Sequence, residues 1–262
     1  MRSFILAVLA LVPLSSSQAR FHMLLVDHPS VKTGDKLTTT YKFGHPFEAE
    51  LFDAEKPAQA QAFGPDRTTT DLLPSLTKTT VGENEKKKIT GYTCTFEPKA
   101  RGDYTVIFVS PAIWMEEEQY FVQDTVRVNI HDQAEKGWRF RHPDLSPYVF
   151  VPLTRPYGLR PGTVFQSRLN FSGQFVELEK YNAEPQKELP TREFRRLNFT
   201  TVTEAWPPAL SEKGRWVLSS RQTPRAMTLP ETKERESKKY LLLRRATLCV
   251  YVDGEPANKP EK

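Results

Sequence analysis

The stretch LTTTYKFGH at residues 37–45 decides the fold class. Every second residue belongs to one face, Leu37, Thr39, Tyr41 and Phe43, and the polar residues Thr38, Thr40 and Lys42 alternate with them. A period of two is typical of a half-buried β-strand. The same alternation returns in residues 89–96, 104–109 and 125–131. Turn-forming residues separate these runs, and short strands at such spacing predict a β-sandwich.

The alternation lapses after residue 134 and resumes near residue 163. Glycine and proline are frequent in between, most of all in LTRPYGLRPG at residues 153–162, which is typical of a domain boundary. The sequence therefore predicts an all-β protein with two β-sandwich domains. Its predicted parts are an N-terminal domain at residues 20–134, a linker at 135–162, a C-terminal domain at 163–254 and a disordered tail at 255–262.

The first nineteen residues have the three parts of a secretory signal peptide. Arg2 supplies a positive charge, residues 4–14 form an apolar run, and Ser17-Gln18-Ala19 offers small residues for cleavage after Ala19. An uncleaved anchor is the alternative, but the run is too short to span a bilayer of roughly 30 Å. No later segment reaches spanning length. We therefore expect an exported protein that is periplasmic or extracellular.

Charge and motifs argue against two functional classes. Without residues 1–19 the chain has 36 basic and 32 acidic residues, a net charge of +4. These charges are well mixed, whereas a nucleic-acid site needs a clustered basic face with aromatic partners. The chain lacks the Gly-x-Ser-x-Gly, His-Glu-x-x-His, Walker and dinucleotide-binding patterns. We expect neither nucleic-acid binding nor enzymatic activity.

Two isolated motifs have structural interpretations. Cys94 and Cys249, the only cysteines, both lie in strand-like segments. Because a disulfide needs Cα atoms within about 7 Å, two separate buried thiols are favoured, with a disulfide left open. Arg101-Gly102-Asp103 spells a cell-adhesion tripeptide, but glycine and aspartate are common turn formers and a strand follows directly. A structural turn is the favoured interpretation.

The stretch GHPFEAELFDA at residues 44–54 contains the best candidate site. On a regular strand His45 faces away from Glu48 and Glu50, so a turn near Pro46 is needed to gather His45 with Glu48 or Asp53. Imidazole with carboxylate suits borderline divalent ions such as nickel, cobalt and zinc. The alternative is a polar loop held down by neighbouring phenylalanines.

Two further segments offer ligands to complete such a site. His22 is the third residue after the predicted cleavage, which suggests metal binding near a free amino terminus. Glu116 begins a run of three carboxylates after Trp114 and Met115, where a thioether would favour copper(I). The alternative for this acidic run is a solvated surface loop.

Several motifs together resemble the NikM-like nickel-uptake periplasmic proteins. They are FHMLL at residues 21–25, GHPFEAELFDA, RGDY at 101–104, SPAIWMEEE at 110–118 and, more loosely, LTRPYGLRPG. The resemblance implies an immunoglobulin-like sandwich followed by a transthyretin-like or carboxypeptidase-regulatory-like β-domain. It also implies a role in handling a transition metal beside a membrane uptake component. Relatives often have histidines where this chain has Arg20 and Ala49.

The leading hypothesis is an exported, non-enzymatic protein that binds a divalent transition metal and assists nickel or cobalt uptake. Nickel and cobalt are favoured, with copper and zinc as alternatives. The rival hypothesis is a metal-independent interaction module that binds protein or glycan. For the metal site, the primary ligand is His45 and the candidates that complete it are Glu48, Glu50, His22 and Glu116.

Overall fold

The computed structural model describes ten segments of the chain. These are residues 20–45, 50–84, 87–116, 119–138, 148–171, 174–175, 194–198, 209–221, 225–227 and 240–253. The predicted signal peptide, the predicted tail and Glu48 lie outside the described residues, so the predictions for them stay predictions.

Regular structure in these segments is almost entirely β, apart from a short 3-10 turn at Leu73–Ser75. Twenty strands follow one another along the described segments. In order, β1 to β20 are Phe21–Val26, Ser30–Val31, Leu37–His45, Glu50–Phe52, Gln59–Phe63, Thr69–Asp71, Thr77–Asn84, Lys87–Phe96, Gly102–Val109, Ile113–Met115, Tyr120–Asp132, Tyr148–Pro152, Thr163–Val164, Ser167–Phe171, Gln174–Phe175, Phe194–Asn198, Ala209–Leu210, Gly214–Arg221, Arg225–Met227 and Tyr240–Val252.

Two large sheets and two small ones organise these strands. One sheet has the order β1-β3-β8-β7, with β4 also paired to β3. A ten-stranded sheet runs β16-β18-β20-β11-β9-β5-β6, with β2, β10 and β19 attached at its sides. The small sheets are β12-β14-β15 and β13-β17. The prediction of an all-β fold with sandwich-like layers is confirmed.

Strand β20 joins the two predicted domains. It pairs in parallel with β11, from Leu242 opposite Phe121 to Cys249 opposite Val128, and antiparallel with β18 on its other side. Strands from residues 20–134 and 163–254 therefore share one sheet. The division into two domains stays a prediction.

Both faces of this central sheet are buried. Because successive strand residues point to opposite faces, Val217 and Cys249 join one core while their neighbours Leu218 and Leu248 join another. The first core includes Leu24, Tyr41 and Phe108 and is the larger; the second lies against the small sheet that contains β12. Burial on both faces explains the consecutive apolar residues Leu248, Cys249 and Val250 in β20.

The linker is fixed to the N-terminal strands by a buried polar cluster. Asp103, only 1% exposed, accepts hydrogen bonds from His131 Nδ1 at 2.7 Å and from the Tyr157 hydroxyl at 3.1 Å. The His131 and Tyr157 rings stack with their centres 3.9 Å apart. Burial, and then the Asp103 carboxylate, raises the pKa of Tyr157. Asp103 is therefore a structural residue, as predicted for this tripeptide, and is inaccessible to an adhesion receptor.

Tyr157→Phe is expected to lower the free energy of unfolding by about 1.5–3 kcal/mol, because it removes one hydrogen bond to a buried carboxylate. Urea unfolding monitored by tryptophan fluorescence measures this change. Tyr251→Phe is the matched control, since Tyr251 is 37% exposed on β20. Equal stabilities for the two variants would show that the Tyr157–Asp103 bond contributes nothing.

Arg127 forms a second buried connection to the linker region. Its guanidinium donates to the carbonyls of Trp138 and Phe150, to Thr105 Oγ1 and to Asn129 Oδ1. All four of these acceptors are uncharged. Burial lowers the pKa of Arg127 to about 9, so the group stays charged at neutral pH.

Both cysteines are buried free thiols, as the favoured interpretation predicted. Burial raises the pKa of Cys94 and raises that of Cys249 to about 11. Since the thiolate is the reactive form, neither residue is suited to nucleophilic chemistry or metal binding at neutral pH.

Candidate metal centre

The hairpin of β3 and β4 brings His45 and Glu50 together. Phe43 lies opposite Phe52 in its ladder, and His45 lies opposite Glu50. Directly opposed residues of an antiparallel pair project from the same face, so the imidazole and the carboxylate are neighbours. His45 Nε2 is 3.9 Å from Glu50 Oε2. On a single extended strand the two side chains would point to opposite faces. Because β3 and β4 are antiparallel and place His45 opposite Glu50, the two side chains share one face instead.

Gly44 allows the two strands to come so close. A Cβ at this position would lie 2.2 Å from the backbone oxygen of Glu50 and 2.9 Å from the Cα of Leu51. Contacts this short with backbone atoms force the strands apart. The glycine before His45 is therefore required by the packing of β4.

Arg20 is the third member of this group. Its Nε donates a hydrogen bond to His45 Nε2 at 3.2 Å, and its guanidinium lies over the Phe52 ring at 4.4 Å. Arginine has donors only, so the Nε2 that faces it must carry a lone pair. His45 is 3% exposed and also meets the Phe52 ring edge-on. The nitrogen next to Glu50 is thus in the form that can coordinate a metal ion.

His22 is the second residue of β1, and its contacts differ from those of His45. Its Nδ1 is 2.6 Å from Asp124 Oδ2, and its backbone N–H donates to the same oxygen at 3.0 Å. The ring lies between Tyr41 and Phe43, at centroid distances of 4.9 and 4.5 Å. Within the described part of the chain, its buried Nε2 has no hydrogen-bond partner. An Asp124 carboxylate on Nδ1 leaves Nε2 as the only nitrogen of His22 that could bind a ligand.

The Asp124 carboxylate accepts hydrogen bonds from two distant parts of the chain. Besides the two from His22, its carboxylate accepts hydrogen bonds from Arg245 Nε and from Arg245 Nη2, the latter at 2.7 Å. Burial alone would raise the pKa of Asp124, but the Arg245 guanidinium and the His22 imidazole outweigh it and hold the pKa well below its usual range. Arg245 also donates to the backbone carbonyl of Arg20. The first described residue is thereby attached to the last long strand.

The other predicted ligands have different placements. Glu116 follows β10, where its carboxylate accepts a hydrogen bond from Trp114 Nε1. Asp53 binds Lys87 and the backbone N–H of Thr90 instead of His45. Glu48 lies outside the described residues. Among the residues that are described, no group of three or more His, Cys, Asp and Glu side chains is arranged to hold a metal ion.

Comparison with known proteins assigns the chain to a family. A family model described as a domain of unknown function, DUF4198, matches residues 17–223. The chain belongs to the DUF4198 family. The match covers β1 to β18 and therefore includes His22, the β3–β4 hairpin and Asp124.

The other comparisons add little to this assignment. No curated protein matches the DUF4198 chain. A solved structure of a DUF4785 family protein from Legionella pneumophila subsp. pneumophila str. Philadelphia 1 is similar at 12% identity and a TM-score of 0.30. The similarity covers 57% of this chain and 35% of that protein, so the chain spans about a third of its length. The described segments contain no helix with the length and apolar character that a membrane crossing requires.

Sequence reasoning missed three residues around the DUF4198 site. Asp124 had a usable signal, since it shares the period-two face of Val122 and Val126 and is a charged residue in the middle of that apolar face of β11. Arg245 had none, because its pairing with β11 depends on a contact across 121 residues. The sequence marked Arg20 only as a position where relatives often have a histidine, and it gave no sign of the contact with His45.

Proposed function

We propose that this DUF4198 protein is an exported, non-enzymatic protein that binds a divalent transition metal and assists nickel or cobalt uptake. The observation that carries the proposal is the approach of His45 Nε2, the ring nitrogen that bears the lone pair, to 3.9 Å from Glu50 Oε2. The nickel-uptake role and a membrane partner come from the NikM-like resemblance.

The donor set fits a borderline divalent ion. Imidazole suits nickel, copper and zinc, and a carboxylate adds negative charge that offsets part of the charge of the ion. Two protein donors leave coordination positions for water or for Glu48, which stands between His45 and Glu50 in the sequence. His22 and Glu116 remain candidate ligands, but either side chain would have to move toward His45 and Glu50 in a metal-bound state. An incomplete shell suits a protein that passes an ion on rather than storing it.

A metal-independent interaction module is the second candidate. The observation that favours it is the hydrogen bond from Arg20 Nε to His45 Nε2, which already satisfies the imidazole without a metal. In this interpretation the Arg20, His45 and Phe52 contacts serve only to close one end of the sandwich.

Thermal unfolding with nickel, cobalt, copper and zinc separates the candidates. A ligand that binds only the folded state, present at about 100 times its Kd, adds about 2.7 kcal/mol of stability, which raises the Tm by several degrees. We expect such a rise for nickel or cobalt and a smaller rise in Glu50→Gln. No shift with any of the four ions would favour the interaction module.

A further inference from the structure

Arg20 is held at the candidate site by three separate contacts. Its side chain donates to His45 Nε2 at 3.2 Å and lies 4.4 Å from the centre of the Phe52 ring. Its backbone carbonyl accepts a hydrogen bond from Arg245. The backbone position of Arg20 is thus fixed by β20, and the guanidinium is fixed by the residues of the hairpin.

An sp² nitrogen has one lone pair, which cannot accept the Arg20 N–H and coordinate a metal at the same time. A divalent ion on His45 would also be repelled by the guanidinium charge beside it. We propose that the Arg20 side chain is a built-in competitor for the coordinating nitrogen of His45 and sets the metal affinity of the site. This inference rests on the proposed function, since its ligand is the same divalent ion.

The exposure of Arg20 makes the competition reversible. The residue is exposed, whereas His45 is buried. When the guanidinium leaves Nε2, its charge moves into water and requires no new buried partner. The carbonyl contact with Arg245 keeps the chain in place during this movement. Displacement of the Arg20 side chain therefore frees the His45 Nε2 lone pair for a metal ion, with no change in the sheet.

Calorimetric titration of nickel into the mature protein that begins at Arg20 tests this role. Arg20→Ala is expected to bind nickel about tenfold more tightly than wild type, because it removes one charge-assisted hydrogen bond and one exposed cation–π contact that compete with the ion. Arg20→Gln removes the charge but keeps a long polar side chain, and we expect an intermediate affinity. Circular dichroism checks that both variants fold.

Two matched variants make the titration specific. Arg155→Ala removes the same charge from another arginine that lies over an aromatic ring, at 5.5 Å from Tyr157, and should bind nickel as wild type does. The double variant Arg20→Ala with His45→Ala should lose the gain in affinity. A gain of the same size in Arg155→Ala would mean that net charge alone is responsible, which overturns the proposal.

The titration also separates this inference from the proposed function. If wild type and Arg20→Ala bind nickel equally well, the proposed function stands and Arg20 is not a competitor. If wild type binds no nickel and Arg20→Ala does, the competition is real and wild type is not a nickel protein under these conditions. Weaker binding by Arg20→Ala than by wild type would overturn the inference directly.

Discussion

Asp124→Ala is expected to lower the free energy of unfolding by about 3–5 kcal/mol, the usual effect of removing one partner from a buried ion pair. The substitution takes away the acceptor of four hydrogen bonds, two from His22 and two from Arg245. It leaves the backbone N–H and the Nδ1–H of His22 buried next to Tyr41 and Phe43 without a hydrogen-bond acceptor. The loss also removes the side-chain hydrogen bonds that link β1 and β20 to β11, so the effect is not confined to one strand.

Urea unfolding of wild type and variant measures this loss. Asp27→Ala is the matched control, because Asp27 directly follows β1 and is exposed. An exposed substitution of this kind usually changes stability by no more than about 0.5 kcal/mol. Equal losses in the two variants would show that the Asp124 cluster does not hold the sandwich together.

The same carboxylate predicts the acid sensitivity of the fold. The pKa of Asp124 is held below its usual range in the folded state, so the unfolded state binds more protons as the pH falls. Its contribution is fully present above about pH 4 and declines below that value. Asp124→Asn should therefore be less stable than wild type at pH 6 but should lose less stability between pH 5 and pH 3. A parallel pH dependence would contradict the assigned role.

The strands were predictable from local pattern, but their partners were not. Alternation in residues 37–45 identified β3 because one face of that strand is buried and the other is partly solvated. Strand β20 shows no such alternation in burial, since it is covered on both faces, and its parallel pairing with β11 joins segments more than a hundred residues apart. The shared sheet therefore could not be inferred from linker composition.

The candidate site was predictable in part for the same reason. His45 was identified from residue type and local density of ligands. Its partner Glu50 depended on the antiparallel pairing of β3 with β4, and strand parity alone argued against the pair. Arg20 reaches His45 through the β1–β3 ladder, a contact across 25 residues that residue types alone do not specify.

His45→Ala is expected to abolish specific nickel binding. Loss of residues that merely orient metal ligands costs about 10–100-fold in affinity, and loss of the primary ligand should cost at least as much. Because His45 is buried against Phe52, His45→Phe provides a second variant that retains an aromatic ring. His28→Ala is the control, since it removes an exposed imidazole from the loop after β1.

The nickel content of these proteins after equilibrium dialysis is the decisive measurement for His45 as a metal ligand. We expect about one bound nickel ion per chain in wild type and in His28→Ala, and none in His45→Ala or His45→Phe. Unchanged nickel stoichiometry in both folded His45 variants would contradict it.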